Sequence, residues 1–178
     1  MKANLTRAFL HCDERGVAAI EFAGAAMLLA VILANAADFS VYEYRKMQVQ
    51  DAAQIGAQAA WQTCGYPSMV PATKNCSGLN AAVTTAIQST GLGKSVSLSS
   101  GYPAEGYYCV NSSGALQSVG SLSSRSSDCS AAGNANASPG DYVQIGVTAA
   151  YAPIFSSFTV VGLWKVSSIS AVAWMRLL

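Results

Sequence analysis

The chain has 178 residues, a net charge of +1 and only 11% Asp, Glu, Lys and Arg, against roughly 25% in an average soluble domain. No basic block or stripe is present, so nucleic-acid binding has no electrostatic footprint. Apolar residues reach 52% but crowd into residues 17–37 and the C-terminal end, while residues 63–140 are rich in Ser, Gly, Asn and Thr.

Residues 17–37 read VAAIEFAGAAMLLAVILANAA, with Glu21 as the single charge. A bilayer-spanning helix needs about 20 mostly apolar residues, and lipid offers no partner for backbone groups, so a segment that spans must be helical. Ala, Leu and Met favour helix on propensity, and no Pro interrupts the run. The preceding residues 1–16 carry Lys2, Arg7 and Arg15, and the near C-terminal flank carries Arg45 and Lys46. The positive-inside rule therefore places the N-terminus in the cytoplasm and the remainder outside it.

The cysteines agree with that placement. Cys12 precedes the apolar run, whereas Cys64, Cys76, Cys109 and Cys129 follow it. An even set beyond a membrane anchor reads as two disulfides in an oxidising compartment. Three pairings exist; Cys64–Cys76 and Cys109–Cys129 each close a short loop in a polar, turn-rich stretch. A zinc site is the competing reading, but it wants CxxC-type spacing or His ligands. The intervals here are 12, 33 and 20, and the one His is His11.

After the apolar run, Val41, Tyr44, Gln48, Ala52, Ile55 and Ala59 recur at helical spacing, with the small residues Ala53, Gly56 and Ala60 near the same stripe. One helix is thus predicted over residues 17–61, roughly 65–70 Å at 1.5 Å per residue, ended by Gly65 and Pro67. A short helix is predicted over 79–90, closed by Gly91 and Gly93, with short strands over 94–99 and 106–110. Residues 111–140 read as a long loop pinned by a disulfide. Residues 142–151 alternate, with Val143, Ile145, Val147, Ala149 and Tyr151 facing one way, and 166–176 alternate again, predicting an antiparallel pair. The stretch between them, IFSSFTVVGLW at 154–164, is apolar but too short to span as a helix. It reads either as core packing or as a membrane-surface or subunit contact.

The expected class is α+β: a long N-terminal transmembrane helix continuing into a small extracytoplasmic domain with a short helix and an antiparallel sheet. No cofactor is expected. An enzyme is not expected either. The absence of any His after His11 removes Ser/His and Cys/His catalysis from the extracytoplasmic part, and the carboxylates Glu43, Asp51, Glu105, Asp128 and Asp141 are scattered. Sugar or surface adhesion through Trp61, Tyr102, Tyr107 and Tyr108 is weighed against packing of these aromatics in the core or on the disulfides.

ERGVAAIEFA at 14–23, the apolar run and DFSVYEYRKMQVQDAAQIGAQAA after it resemble the TadE-like pseudopilins of the tight-adherence (Tad/Flp) pilus system. VTAAYAPIF and SAVAWMR near the C-terminus resemble that family's closing strand pair; the middle carries no such likeness. The related TadG-like proteins have longer C-terminal regions, so length favours TadE-like. The resemblance implies a pilin-like architecture: a prepilin-type leader (1–16), a transmembrane and projecting helix (17–61) and a disulfide-bonded domain (62–178). It implies cleavage by a prepilin peptidase between Gly16 and Val17, making Glu21 the fifth residue of the mature chain. Glu21, which costs about 2.5–3.5 kcal/mol at a bilayer centre and less near its edge, would then pair with a neighbouring subunit's amino terminus and set its register. Phe22 stands where major pilins of this system commonly have Tyr, which favours a minor subunit. The bland alternative for Glu21 is a side chain snorkelling to the headgroups. The implied partners are the peptidase, other pilin and pseudopilin subunits, an inner-membrane assembly platform and the lipid bilayer. A different class of reading remains: Ala34-Asn35-Ala36 fits a signal-peptidase site, which would release a soluble, disulfide-bonded secreted protein beginning near Ala37.

Overall fold

A computed structural model describes the chain from Glu14 to Leu178; His11, Cys12 and the other residues 1–13 lie outside the described residues. Helix α1 runs Glu14–Cys64, uninterrupted because no Pro or Gly pair breaks its hydrogen-bond ladder. It stops where the Gly65 amide turns back to the Trp61 carbonyl at 2.8 Å and Pro67 opens a short 3-10 turn. Helices α2 (Ala72–Asn75) and α3 (Leu79–Gln88) follow, then strands β1 (Val96–Leu98), β2 (Ala104–Val110), β3 (Leu116–Ser118) and β4 (Gly140–Ala150), helix α4 (Val160–Leu163) and strand β5 (Ser168–Arg176). The observed class is α+β, as expected.

The chain divides into two compact units. One holds α1 up to Val41 with Pro153–Lys165; the other holds Tyr42–Ala152 with Val166–Leu178. In the second unit, β4 is the central strand of an antiparallel sheet. It pairs with β5 over nine consecutive positions, from Tyr142 opposite Arg176 to Ala150 opposite Ser168. Its other edge carries β2 along its first half and β1 near its end, and β3 pairs with β2. The alternation read from the sequence is the alternation observed: Val143, Ile145, Val147 and Ala149 are buried. They meet Val83 and Ile87 of α3 and the small-residue face of α1.

That face differs from the predicted stripe by a small rotation. The buried positions are Val49, Ala52, Ala53, Gly56, Ala57, Ala60 and Cys64, while Tyr44 points to solvent. The physical reason is close approach. A Cβ at Gly56 would stand 2.8 Å from Ile87 Cγ2 and 3.1 Å from Ile145 Cγ2, so only small side chains fit between helix and sheet.

The region 111–140 is not purely loop. Leu116–Ser118 forms β3 on the outer edge of β2, and Tyr107, Cys109, Val119, Cys129 and Ala132 make a small apolar cluster beside it. Disulfides join Cys64 to Cys76 and Cys109 to Cys129. All four sulfurs are thereby bonded to one another and none is free to ligate zinc.

Candidate functional site

In the first unit, residues 16–33 of α1 are exposed all round, including Val17 and the two bulky side chains Ile20 and Phe22, each 76% exposed. An apolar surface of this extent is at odds with water as its solvent. Glu21 lies on this surface, and among the described residues it makes no hydrogen bond or ion pair. Nothing stands within 4 Å of a Cβ built at Gly16 or Gly24, so both permit close approach by another helix.

The apolar run ends in a polar lock. Asn35 donates Nδ2–H to the Val31 carbonyl at 2.8 Å and accepts the Val160 amide on Oδ1 at 2.9 Å. Asp38, fully buried, accepts the Ile154 amide at 2.8 Å on one oxygen and faces the Thr159 hydroxyl with the other. Thr159 Oγ1 also lies 2.6 Å from the Phe155 carbonyl and caps α4 by accepting the Gly162 amide at 3.2 Å. Gly162 is needed there: a side chain would collide with the backbone of Phe155 and Ser156. The connector that the sequence left between core and surface thus ties Ile154, Thr159 and Val160 to polar side chains of the helix, with Thr159 buried. It turns Ile154, Phe158, Val160, Leu163 and Trp164 outward.

In the second unit, two carboxylates that look scattered in sequence meet. Glu105 accepts the Ala72 amide at 2.6 Å, the Thr73 amide at 2.7 Å and the Thr73 hydroxyl at 2.5 Å, capping the start of α2. Asp141 is buried beside it, and among the described residues neither of its oxygens meets a donor group. Burial first, then the Glu105 charge and a hydrogen bond to Glu105, push the Asp141 pKa up to about 7, with Arg125 opposing. A protonated Asp141 becomes the donor that this pair otherwise lacks. The arrangement ties β2, β4 and α2 together. A separate cleft of about 610 Å³ runs between α1 and β5, lined by Asp51, Gln54, Gln58, Trp61, Trp174 and Met175; neither carboxyl of the pair lines it. Tyr107 sits in the disulfide cluster, and Tyr108 stacks edge-on with Tyr142 and Trp174 on the other sheet face.

Residues 16–58 match the TadE-like protein family. The TadE-like segment begins at Gly16 and ends at Gln58, both inside α1. No curated protein and no solved structure matches the chain. Among the described residues, α1 is the one helix long and apolar enough to cross a membrane. With the TadE-like match this fits a single-pass membrane protein related to the Tad pilus, a structural kind of protein.

Of the residues singled out in sequence, Gly16, Val17, Glu21 and Phe22 lie together on the exposed start of the TadE-like segment. The lock formed by Asn35, Asp38 and Thr159 escaped sequence reasoning. Its signal was present: a Thr inside an apolar connector, and an Asp as the first charge after an apolar run.

Proposed function

We propose that this protein is a minor pilin or pseudopilin, a structural subunit in biogenesis of a Tad/Flp type IV pilus used for adhesion and surface attachment. The observation that carries the reading is the TadE-like match across a helix whose exposed start presents Glu21 five residues after Gly16. A prepilin peptidase cuts between Gly16 and Val17. The new ammonium group at Val17 of one subunit neutralises Glu21 of the next, which removes two charges from apolar surroundings and fixes the axial register. The N-terminus is cytoplasmic and the disulfide-bonded domain lies outside the inner membrane. The subunit works with other pilins and the assembly platform and carries out no catalysis of its own.

The competing reading, release by signal peptidase near Ala36, is disfavoured by the polar lock. A cut after Ala36 would remove Asn35, which holds the Val160 amide, and would leave Asp38 as the second residue of the new chain, in a fraying first turn. The deciding experiment is the mass and N-terminal sequence of the mature protein purified from membranes. A start at Val17 supports the pilin reading. A start near Ala37 overturns it in favour of a secreted protein, and a start at Met1 reduces the chain to a plain membrane anchor.

A further inference from the structure

The connector between β4 and β5 is built inside out for a soluble loop. Six of its amides close on internal acceptors, although Ser156 and Ser157 stay exposed: Ile154 and Val160 donate to Asp38 and Asn35, and Gly162 to Thr159. The amides of Leu163, Trp164 and Lys165 close back on Thr159, Val160 and Gly162 carbonyls. Its large apolar side chains point away, with Leu163 64% and Trp164 66% exposed. Amides closed on internal acceptors beside outward apolar side chains, with two exposed serines among them, suit the boundary between hydrocarbon and headgroups better than water alone.

The depth of the connector along α1 identifies that surrounding. Asn35 lies 18 residues beyond Val17, about 27 Å at 1.5 Å per residue, close to the roughly 30 Å of a hydrocarbon core. The Val160 amide is hydrogen-bonded to Asn35, and Asp38 is the first charge after the run. The apolar surface of the connector therefore continues the lipid-facing surface of α1 at the level where that helix leaves the bilayer. Trp164 followed by the exposed Lys165 supplies the aromatic and cationic groups that sit among lipid headgroups. Lys165 adopts φ 51°, the left-handed conformation that ends the α4 turn and directs the chain onward after the Trp–Lys pair.

We propose that residues 154–165 form a membrane-interface anchor. The segment seats Ile154, Phe158, Leu163 and Trp164 in the acyl–headgroup boundary of the leaflet from which α1 emerges, with Lys165 at the phosphates. The inference rests on α1 spanning a bilayer, as in the proposed function. It adds a second lipid contact, fixed to the helix by the Asn35 and Asp38 side chains, which sets how deep α1 sits.

The test uses the full chain in phosphatidylcholine vesicles carrying bromine either near the headgroup end of the acyl chains or near the bilayer centre. With Trp61→Phe and Trp174→Phe, Trp164 is the sole indole. It is expected to lose about half of its emission to the shallow bromines, less to the deep ones, and to resist aqueous acrylamide. A second protein, with Trp61, Trp164 and Trp174 changed to Phe and Leu29→Trp, reports the span itself and is expected to respond most to the deep bromines. If the Leu29 probe is quenched but Trp164 is untouched by bromine and open to acrylamide, the anchor is overturned while the span stands. If Trp164 is shielded from both quenchers, protein rather than lipid covers it, and the anchor is again overturned. An unquenched Leu29 probe removes the span and the anchor together.

Discussion

The Asp38 carboxylate and the Thr159 hydroxyl, 121 residues apart in sequence, meet directly in a site closed to solvent. One carboxylate thereby holds the start of the connector through the Ile154 amide and its middle through Thr159. Asp38→Ala would leave the Ile154 amide without its acceptor, at a cost of about 1–3 kcal/mol, and the Thr159 hydroxyl with the Phe155 carbonyl alone. The expected outcome is local: faster amide exchange and faster proteolysis within residues 153–165. Asp38→Asn, which keeps one acceptor, should lie between the two.

Glu21 is exposed and makes no hydrogen bond or ion pair among the described residues, so Glu21→Ala should leave folding intact. If it pairs with a neighbour's amino terminus, the variant is still processed at Gly16 but fails to enter assemblies recovered by crosslinking. Unimpaired co-assembly of Glu21→Ala would remove the charge-pair role.

Gly56→Val drives a branched side chain into Ile87, Ile145 and Val83. Overpacking of this kind costs about 1–3 kcal/mol. Helix propensity moves the other way, since Gly is the poorer helix former, so the net loss should sit toward the lower part of that range. Denaturant unfolding of the detergent-solubilised chain measures it.

Asp141 is raised to about 7 by burial and by Glu105, whereas an unfolded Asp titrates near 3.9. Between those values the folded protein keeps a proton that the unfolded chain has released. Stability therefore falls as pH rises from about 4 to about 7 and levels off above it. Asp141→Asn cannot ionise and can still donate to Glu105, so it should flatten that slope and exceed the wild type in stability above pH ~7. Melting curves across this range decide the matter, and a slope unchanged in the Asn variant would count against the shared proton.

The Cys109–Cys129 bridge closes a loop with a separation of 20 residues around the Tyr107–Val119–Ala132 cluster. Replacing both cysteines by Ser should cost about 3 kcal/mol on the chain-entropy scale. The effect is read as a shift in denaturant midpoint, with α1 helicity unaltered.

What could be read from sequence was whatever has a period or a length. The apolar run and the β4–β5 alternation are of this kind, because one face of each strand is buried in step with the side-chain repeat of two. β3 was hidden because all three of its residues are exposed, so it carries no alternation and exists through its hydrogen bonds to β2. α2 was hidden because its stability comes from Glu105, some 30 residues downstream. The buried face of α1 was misplaced for another reason. Apolar periodicity weighs Tyr and Ile heavily, whereas around Gly56 the close approach of Ile87 and Ile145 leaves room for Ala and Gly. The Asp38–Thr159 lock is a contact between distant residues, with no local pattern to announce it.

The base of the β4–β5 hairpin is sealed by the Tyr151 amide on the Ser167 carbonyl, immediately beyond the last ladder pair, Ala150 opposite Ser168. The intervening residues 152–166 are therefore a cassette: the ladder closes without them, and their sequence is free to diverge independently of the sheet. Trimming this cassette to a tight turn should leave the strand register untouched and, on the proposed anchor, change how deep α1 sits.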